Sequence, residues 1–225
     1  QLGPVPLTQK VPYDPLKDFA PIANIGANAF VVTVGASVPV NSLKEFVEYA
    51  RARPNALNYG SGGSGNITHL SGALFLSRAG IQMTHVPYKG GVRAIAVLSD
   101  QVQMYMAINA EVLTHARSGR LKLLGVSGER RDPLLPDVPT VAELFPGFRA
   151  VTWNGLLATA GTPVPVIERI AQEMQKAMKD PSFLEQLARI GVDPAPGTSA
   201  EFAETIRSDH ALWRGVIQSG GILVE

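Results

Sequence analysis

A run of glycine and small polar residues at positions 60–66 is the part of the sequence best suited to bind a charged group. Its order is Gly-Ser-Gly-Gly-Ser-Gly-Asn, and we call it the Gly-rich loop. It lies between a predicted strand and a predicted helix, where backbone N–H groups and the helix dipole favour an anion. Glycines let the main chain close around a small carboxylate or phosphate, and Ser61, Ser64 and Asn66 add side-chain donors.

Two other interpretations of the Gly-rich loop stay open at this point. A flexible connecting loop has the same composition, because Gly/Ser turns are common after strands. A serine hydrolase is the second, although the G-x-S-x-G elbow is missing. Its candidate triad would be Ser61 or Ser64, His69, and Asp100 or Asp132. The Gly-Lys-Ser/Thr sequence that ends a Walker loop is also missing.

A second strand-to-helix junction carries polar side chains that are predicted to lie at the same edge of the sheet. It reads Pro87-Tyr88-Lys89-Gly90-Gly91, and Tyr88 or Lys89 would reach the crevice formed by the Gly-rich loop. A simple turn explains this junction equally well. Trp153 either lines a cleft between two lobes or fills core, which is the commoner place for a buried tryptophan.

The four histidines do not predict a metal site. His69 falls in the first turns of a predicted helix, where packing and local hydrogen bonding are its usual roles. His85, His115 and His210 lie on separate elements, without the E-x-x-H or H-x-x-x-H spacing of metal ligands. We expect neither a metal nor a cofactor.

The chain around these residues alternates between strand and helix patterns. Ser42 and Glu45 form a capping box that starts a predicted helix over 43–53, which Pro54 stops. Strands are predicted at 56–59, 82–87, 102–107, 121–126 and 150–158, and helices at 67–78, 92–99, 110–117 and 141–145. This β-α-β order predicts a parallel sheet.

The two ends of the chain differ from this alternating middle. Near the start, residues 21–25 and 29–35 are predicted to be two strands broken by Gly26 and Asn28. The C-terminal part is predicted to be helical over 164–179, 183–190 and 200–219. The first of these helices carries an apolar face for which few strands nearby offer a cover.

Composition excludes several classes of protein. The 225 residues are 45% apolar, which suffices for a real core. Twenty Lys and Arg balance nineteen Asp and Glu, without the basic and aromatic cluster of a nucleic-acid groove. No apolar run approaches the roughly 20 residues of a spanning helix, so direct membrane insertion is not expected. The chain has no cysteine, and its first fifteen residues lack the pattern of a signal peptide.

Several motifs together resemble one known family, and they span essentially the whole chain in the same order. The family is that of the substrate receptors of tripartite tricarboxylate transporters, the Bug receptors. The motifs are Tyr13-Asp14-Pro15, Lys17-Asp18-Phe19, Asn58-Tyr59-Gly60-Ser61 through His69-Leu70, His85-Val86-Pro87-Tyr88-Lys89-Gly90-Gly91, Leu134 with Pro136-Asp137-Val138-Pro139-Thr140, Trp153-Asn154-Gly155-Leu156, and Gly161-Thr162-Pro163.

The resemblance implies an α/β, two-lobed fold like that of the type II periplasmic binding proteins, which close like a Venus flytrap on a small organic acid. It also implies that the N-terminal part of the first lobe, with half of the carboxylate clamp, is missing here. The lobes would then be 1–35 as a remnant of the first lobe with crossover strands, 36–152 as the second lobe, and 153–225 as the return crossover and the first lobe's C-terminal helices. Apolar surface on those helices would be exposed.

The site that the resemblance implies is centred on the Gly-rich loop. Asn66 stands where the family frequently has Thr, and Ala107 where many relatives carry Asp, with Asn109 as a nearby polar substitute. The absent Asp argues against an amino-acid ligand. The full set of predicted ligand-binding residues is Ser61, Gly63, Ser64, Gly65, Asn66, His69, Tyr88, Lys89, Asn109 and Trp153.

The function predicted from the residues and the resemblance together is that of a periplasmic, non-catalytic receptor. It would capture a small organic carboxylate and deliver it to the membrane permease subunits of a tripartite tricarboxylate transporter. Nucleic acid is not an expected partner. A ligand-sensing domain like the effector domains of transcription factors is the alternative, and the serine hydrolase is a more distant one.

Overall fold

The computed structural model describes residues 2–88, 93–220 and 222. The backbone alone is described at positions 93, 94, 109 and 110. Helices in the described chain are α1 Val5–Thr8, α2 Leu43–Arg51, α3 Ile67–Ala79, α4 Arg93–Leu98, α5 Asn109–Arg117, α6 Val141–Leu144, α7 Val164–Ala177, α8 Pro181–Arg189 and α9 Ser199–Ser219. Strands are β1 Phe19–Gly35, β2 Asn58–Ser61, β3 Thr84–Pro87, β4 Met104–Ile108, β5 Leu121–Val126, β6 Val151–Thr159 and β7 Asp193–Pro194.

Two compact units divide the chain. One consists of residues 29–151, which we call the central unit, and the other of residues up to 28 and from 152 onward, which we call the terminal unit. The central unit holds the Gly-rich loop and the β-α alternation, whereas the terminal unit holds the C-terminal helices.

The sheet of the central unit has the strand order β3-β2-β4-β1-β5. β2 is parallel to both β3 and β4, as the β-α-β order predicts. β1 is antiparallel to both β4 and β5, so the prediction of a parallel sheet is wrong for this half. The reason is that β4 and β5, which α5 connects, run in the same direction, and β1, which precedes them in the chain, lies between them in the opposite direction.

A single long strand, β1, replaces the two short strands predicted at 21–25 and 29–35. Gly26 does not break the strand, because it pairs with Pro194 of β7. A Cβ atom at position 26 would lie 2.6 Å from the carbonyl oxygen of Asp193, so glycine is needed for the close approach of two backbones. The Asn28 side chain donates to the Gly191 carbonyl at 2.7 Å and accepts from the Asn154 amide at 2.8 Å.

Alanine substitutions at two glycines of the terminal unit, Gly26 and Gly215, are expected to change the free energy of unfolding in opposite directions. Gly26→Ala is expected to lower the free energy of unfolding by about 1–3 kcal/mol, because the new methyl group overpacks the β1–β7 contact. Gly215→Ala is the matched control, since no atom lies within 4 Å of its would-be Cβ. Alanine inside α9 should stabilise by about 0.5–1 kcal/mol. Urea unfolding followed by circular dichroism measures both, and equal effects would contradict the assignment of Gly26.

Buried strand residues form the core of the central unit. Phe30, Val32 and Val34 of β1 are fully buried, as are Met104 and Tyr105 of β4. Ser42 is the N-cap of α2, and its hydroxyl accepts the N–H of Glu45 at 3.2 Å. The Glu45 carboxylate accepts from the Asn41 N–H at 2.7 Å, one residue before the position that a reciprocal capping box requires.

In the terminal unit, α9 and α7 differ in the burial of their apolar faces. Phe202, Ile206 and Trp213 of α9 are buried. On α7, Val166 and Ile170 are 47% and 37% exposed. Apolar surface on a C-terminal helix is thus exposed within the described chain, as the sequence predicts.

Candidate functional site

The Gly-rich loop connects the end of β2 to the beginning of α3, as predicted. Gly63 has φ +126° and Gly65 has φ +69°, which are backbone conformations that side chains with a Cβ rarely adopt. No atom lies within 4 Å of the Cβ that a substitution at Gly63 would add, so backbone conformation alone requires glycine there. The loop contains no charged side chain, and its polarity comes from peptide and small polar groups.

Asn66 is the N-cap of α3, a role that the sequence reasoning did not assign to it. Its Oδ1 accepts the N–H of Thr68 at 3.0 Å and the Thr68 hydroxyl at 3.1 Å. The Thr68 hydroxyl in turn accepts the N–H of Gly62 at 2.9 Å. The carbonyl end of the Asn66 amide therefore stabilises the loop, and donation by its amide nitrogen to an anion stays a prediction.

The two serines of the loop lie in different environments. The Ser61 side chain is fully buried, whereas Ser64 is exposed. The Ser61 hydroxyl donates to the Gly63 carbonyl at 3.1 Å, accepts the Gly63 N–H at 3.2 Å, and lies 2.6 Å from Nε2 of His85. Ser61 thus stabilises the turn of the loop, and Ser64 is the solvent-exposed serine.

Two stacked histidines lie beside the Gly-rich loop. The ring centroids of His69 and His85 are 3.6 Å apart and their planes differ by 2°. Nδ1 of His69 accepts the N–H of Gly65 at 3.1 Å. The ring of Tyr59 lies 5.0 Å from the His85 ring and 6.1 Å from the His69 ring. Gly72 makes room for Tyr59 against α3, since a Cβ there would come within 2.8 Å of its ring.

His69 is among the site residues predicted from the sequence, whereas His85 is not. The signal that would find it is strand register, because Tyr59 is opposite His85 in the parallel β2–β3 pair, and Ser61 is opposite Pro87. Strand register depends on which strands pair with each other, and the pairing partners cannot be identified from a short stretch of sequence.

Burial makes both imidazoles hard to protonate. Desolvation lowers the pKa of His69 to about 4. It also lowers the pKa of His85 to about 4, with a further contribution from the charge that His69 would carry. Burial raises the pKa of Tyr59 above its usual value. At neutral pH the three rings beside the loop are therefore uncharged.

The backbone of Tyr88 contacts the Gly-rich loop, whereas its side chain is bonded elsewhere. Its N–H donates to the Ser61 carbonyl at 2.9 Å, while its hydroxyl donates to the Gln101 side chain at 3.4 Å. Lys89 lies outside the described residues. Asn109 is the first residue of α5, and its side chain is likewise not described.

Trp153 belongs to the terminal unit. Its ring meets that of Phe202 edge to face, with centroids 5.1 Å apart, and the residue is half-buried. This contact is the one expected of a packing residue, and a role for Trp153 in ligand binding stays a prediction.

The proposed hydrolase triad is not assembled around Ser64. Ser61, rather than Ser64, lies beside a histidine, and that histidine is His85. Asp100 accepts from the Ser37 hydroxyl, and Asp132 accepts from the Leu134 N–H at 2.8 Å. No group of three or more metal-binding side chains occurs in the part of the chain that the structure describes.

A comparison with protein families decides among the remaining interpretations. The model of the tripartite tricarboxylate transporter family receptor matches residues 3–222 of the chain. The chain belongs to this receptor family. The resemblance seen in the motifs is thereby confirmed.

Individual proteins of known sequence or structure are similar over most of the chain. The protein from the tcbD–tcbE intergenic region of Pseudomonas sp. strain P51 is 33% identical over 211 residues, which are 92% of this chain and 63% of that protein. Rpa4515 of R. palustris, solved with adipate, has a TM-score of 0.83 and 28% identity over 96% of this chain and 73% of its own. The periplasmic binding protein BugD has a TM-score of 0.81 and 25% identity, covering 100% and 77%. MatC of Rhodopseudomonas palustris, solved with malate, has a TM-score of 0.76 and 26% identity, covering 92% and 72%.

These likenesses confirm the α/β fold of the periplasmic binding proteins. They also confirm the prediction that this receptor-family chain is a binding protein and not an enzyme, so the serine hydrolase hypothesis is wrong. The chain spans slightly less than two thirds of the length of the Pseudomonas relative. Among the described residues, no helix has both the length and the apolar composition that crossing a bilayer requires.

Proposed function

We propose that the chain is part of a periplasmic receptor that captures a small organic carboxylate with its Gly-rich loop. The observation that carries this proposal is the geometry of the loop, whose glycines at positive φ turn it between β2 and the N-terminus of α3. The N–H groups of Gly62, Gly63 and Gly65 already donate within the protein and fix the shape of the loop. The positive end of the α3 dipole and the exposed Ser64 are then the groups that stabilise an anion there without any charged side chain.

A neutral site suits a receptor that must release its ligand. Peptide dipoles bind a carboxylate through directed hydrogen bonds, whereas a buried ion pair would add a large desolvation cost. The uncharged rings of Tyr59, His69 and His85 add no competing charge next to the loop. Two proteins of this fold were solved with the dicarboxylates adipate and malate, which supports a carboxylate as the ligand class.

The proposed partner is the membrane permease of a tripartite tricarboxylate transporter, and the proposed location is the periplasm. Family membership and the likeness to periplasmic binding proteins support both. A ligand-sensing domain would bind the same acid without transport. Restoration of acid uptake in a strain deleted for its own receptor separates these two functions.

A titration with matched ligands tests the proposed carboxylate binding. We expect adipate and malate to raise the melting temperature of the chain, with a stabilisation of about 2.7 kcal/mol at a concentration about 100-fold above Kd. Adipamide, the uncharged diamide of adipic acid, should have no effect at equal concentration. Calorimetry then gives the stoichiometry.

Two outcomes of the titration would count against the proposal. An equal response to adipamide would show that the site does not select for a carboxylate. If neither adipate, malate nor any member of a wider panel of mono- and dicarboxylates changed the melting temperature, carboxylates would be excluded as the ligand class of this chain.

A further inference from the structure

The two stacked imidazoles hold opposite ends of the Gly-rich loop. His85, from β3, lies 2.6 Å through Nε2 from the hydroxyl of Ser61, near the beginning of the loop. His69, from α3, accepts through Nδ1 the N–H of Gly65, near the end of the loop. Because the two rings are parallel and their centroids lie 3.6 Å apart, the packed pair links the two ends of the loop.

The hydrogen bond from Gly65 requires one particular state of His69. A backbone N–H donates to Nδ1, so that nitrogen must carry a lone pair and the ring proton must reside on Nε2. An imidazolium would place a second N–H against that of Gly65 and break the bond. The neutral Nε2–H tautomer is therefore the form that holds the loop.

Charge on either ring acts on the other as well. Two imidazolium ions in parallel contact at 3.6 Å would repel strongly in a buried environment, so the rings titrate as a coupled pair. The titratable side chain from β2 that packs against them is Tyr59, which is uncharged. The charge acting on His85 is that of His69. Neither ring thus gains stabilisation from a carboxylate among these neighbours.

We propose that His69 and His85 are positioning residues that maintain the anion-binding geometry of the Gly-rich loop, and that they do so only while both rings are neutral. The effect on anion affinity rests on the proposed function. The effect on the loop itself does not, and it is measurable without ligand.

The sign of the pH dependence follows from the lowered pKa values. In the unfolded chain a histidine titrates near 6.5, and in the folded chain these two titrate at about 4. Between these values the unfolded state binds more protons, so stability is complete above about pH 6.5 and is lost as the pH falls towards 4. The order of the loop should be lost at the lower end of this range.

Nuclear magnetic resonance of the unliganded chain tests the state of the rings. We expect ¹⁵N shifts to show His69 unprotonated at Nδ1, and both rings neutral down to about pH 5. The Gly65 amide should exchange slowly with solvent at neutral pH. A protonated Nδ1, or ordinary titration near pH 6.5 for both rings, would overturn the inference.

Substitutions with matched hydrogen-bonding groups separate positioning from packing. Asn in place of His69 keeps an acceptor near the Nδ1 position, and Gln in place of His85 keeps a polar group near Nε2. Leu at either position keeps bulk alone. We expect at least about tenfold faster Gly65 amide exchange and about tenfold weaker adipate binding in H69L, with recovery in H69N. H85L should weaken adipate binding similarly, with recovery in H85Q.

The outcomes distinguish this inference from the proposed function. If H69L and H85L bind adipate as the original chain does and H69L exchanges Gly65 equally slowly, the pair does not position the loop. If the original chain binds neither adipate nor malate, the proposed function fails, and Gly65 exchange in H69L and H69N still decides the positioning role. Should the leucine variants fail to fold, the ring states of the original chain and the Gly65 exchange in H69N decide whether the pair positions the loop.

Discussion

Replacing Gly63 by alanine is expected to weaken adipate binding by at least about tenfold, which corresponds to about 1.4 kcal/mol. Gly63 has φ +126°, a conformation essentially restricted to glycine. An alanine would draw the backbone to another conformation and rotate the peptide groups on both sides. Both hydrogen bonds between Ser61 and residue 63 would be disturbed, because they involve the N–H and the carbonyl of that residue. Calorimetric titration with adipate measures the loss.

Gly147 provides a matched control for Gly63. It also lies in the central unit, has φ +78°, and has no atom within 4 Å of a would-be Cβ. Gly147→Ala should therefore cost about 1–2 kcal/mol of stability through backbone strain, without changing the affinity for adipate. If Gly63→Ala binds adipate as tightly as Gly147→Ala does, the conformation of the loop does not govern affinity.

Truncating Trp213 to alanine is expected to give the largest loss of stability, about 3–5 kcal/mol. Its side chain is 1% exposed and lies on the inner face of α9 with Phe202 and Ile206. Removal of so large a buried side chain leaves a cavity that neighbouring helices and strands fill only in part. Urea unfolding monitored by far-ultraviolet circular dichroism measures the change.

Trp153 is the natural comparison, since it is the other of the two tryptophans in the chain and lies in the same unit. It is half-buried and contacts Phe202 with one edge-to-face interaction. We expect Trp153→Ala to cost about 1–2 kcal/mol, because less surface returns to water and a smaller cavity forms. A loss for Trp153→Ala equal to that for Trp213→Ala would contradict the difference in burial on which both expectations depend.

Helix ends and the Gly-rich loop were predictable from the sequence because they depend on nearby residues. α2 begins after Ser42, and α3 ends at Gly80, whose φ of +61° is the left-handed conformation expected of a terminating glycine. β5 has the bounds that its apolar run predicts. Each of these features is governed by hydrogen bonds or backbone preferences that act within about four residues.

Part of the candidate site followed from the sequence for the same reason. Gly63 and Gly65 adopt the positive φ angles that make a tight loop, and His69 reaches back to that loop across one helical turn. The cap formed by Asn66 is also local, and an asparagine directly before the apolar pattern of α3 is a sequence signal for an N-cap.

Apart from α1 and β7, the sequence by itself therefore determined the order of the elements and most of their ends to within about two residues. It also determined the position of the Gly-rich loop, since these features follow from local backbone preferences and periodicity. Tertiary structure alone decided that β1 runs unbroken through Gly26, which meets β7 at residues far along the chain. It also decided that β1 lies antiparallel between β4 and β5, and that His85 stacks on His69. The physical reason is that strand pairing and burial join residues that are remote in sequence, and no short-range pattern specifies which partners meet.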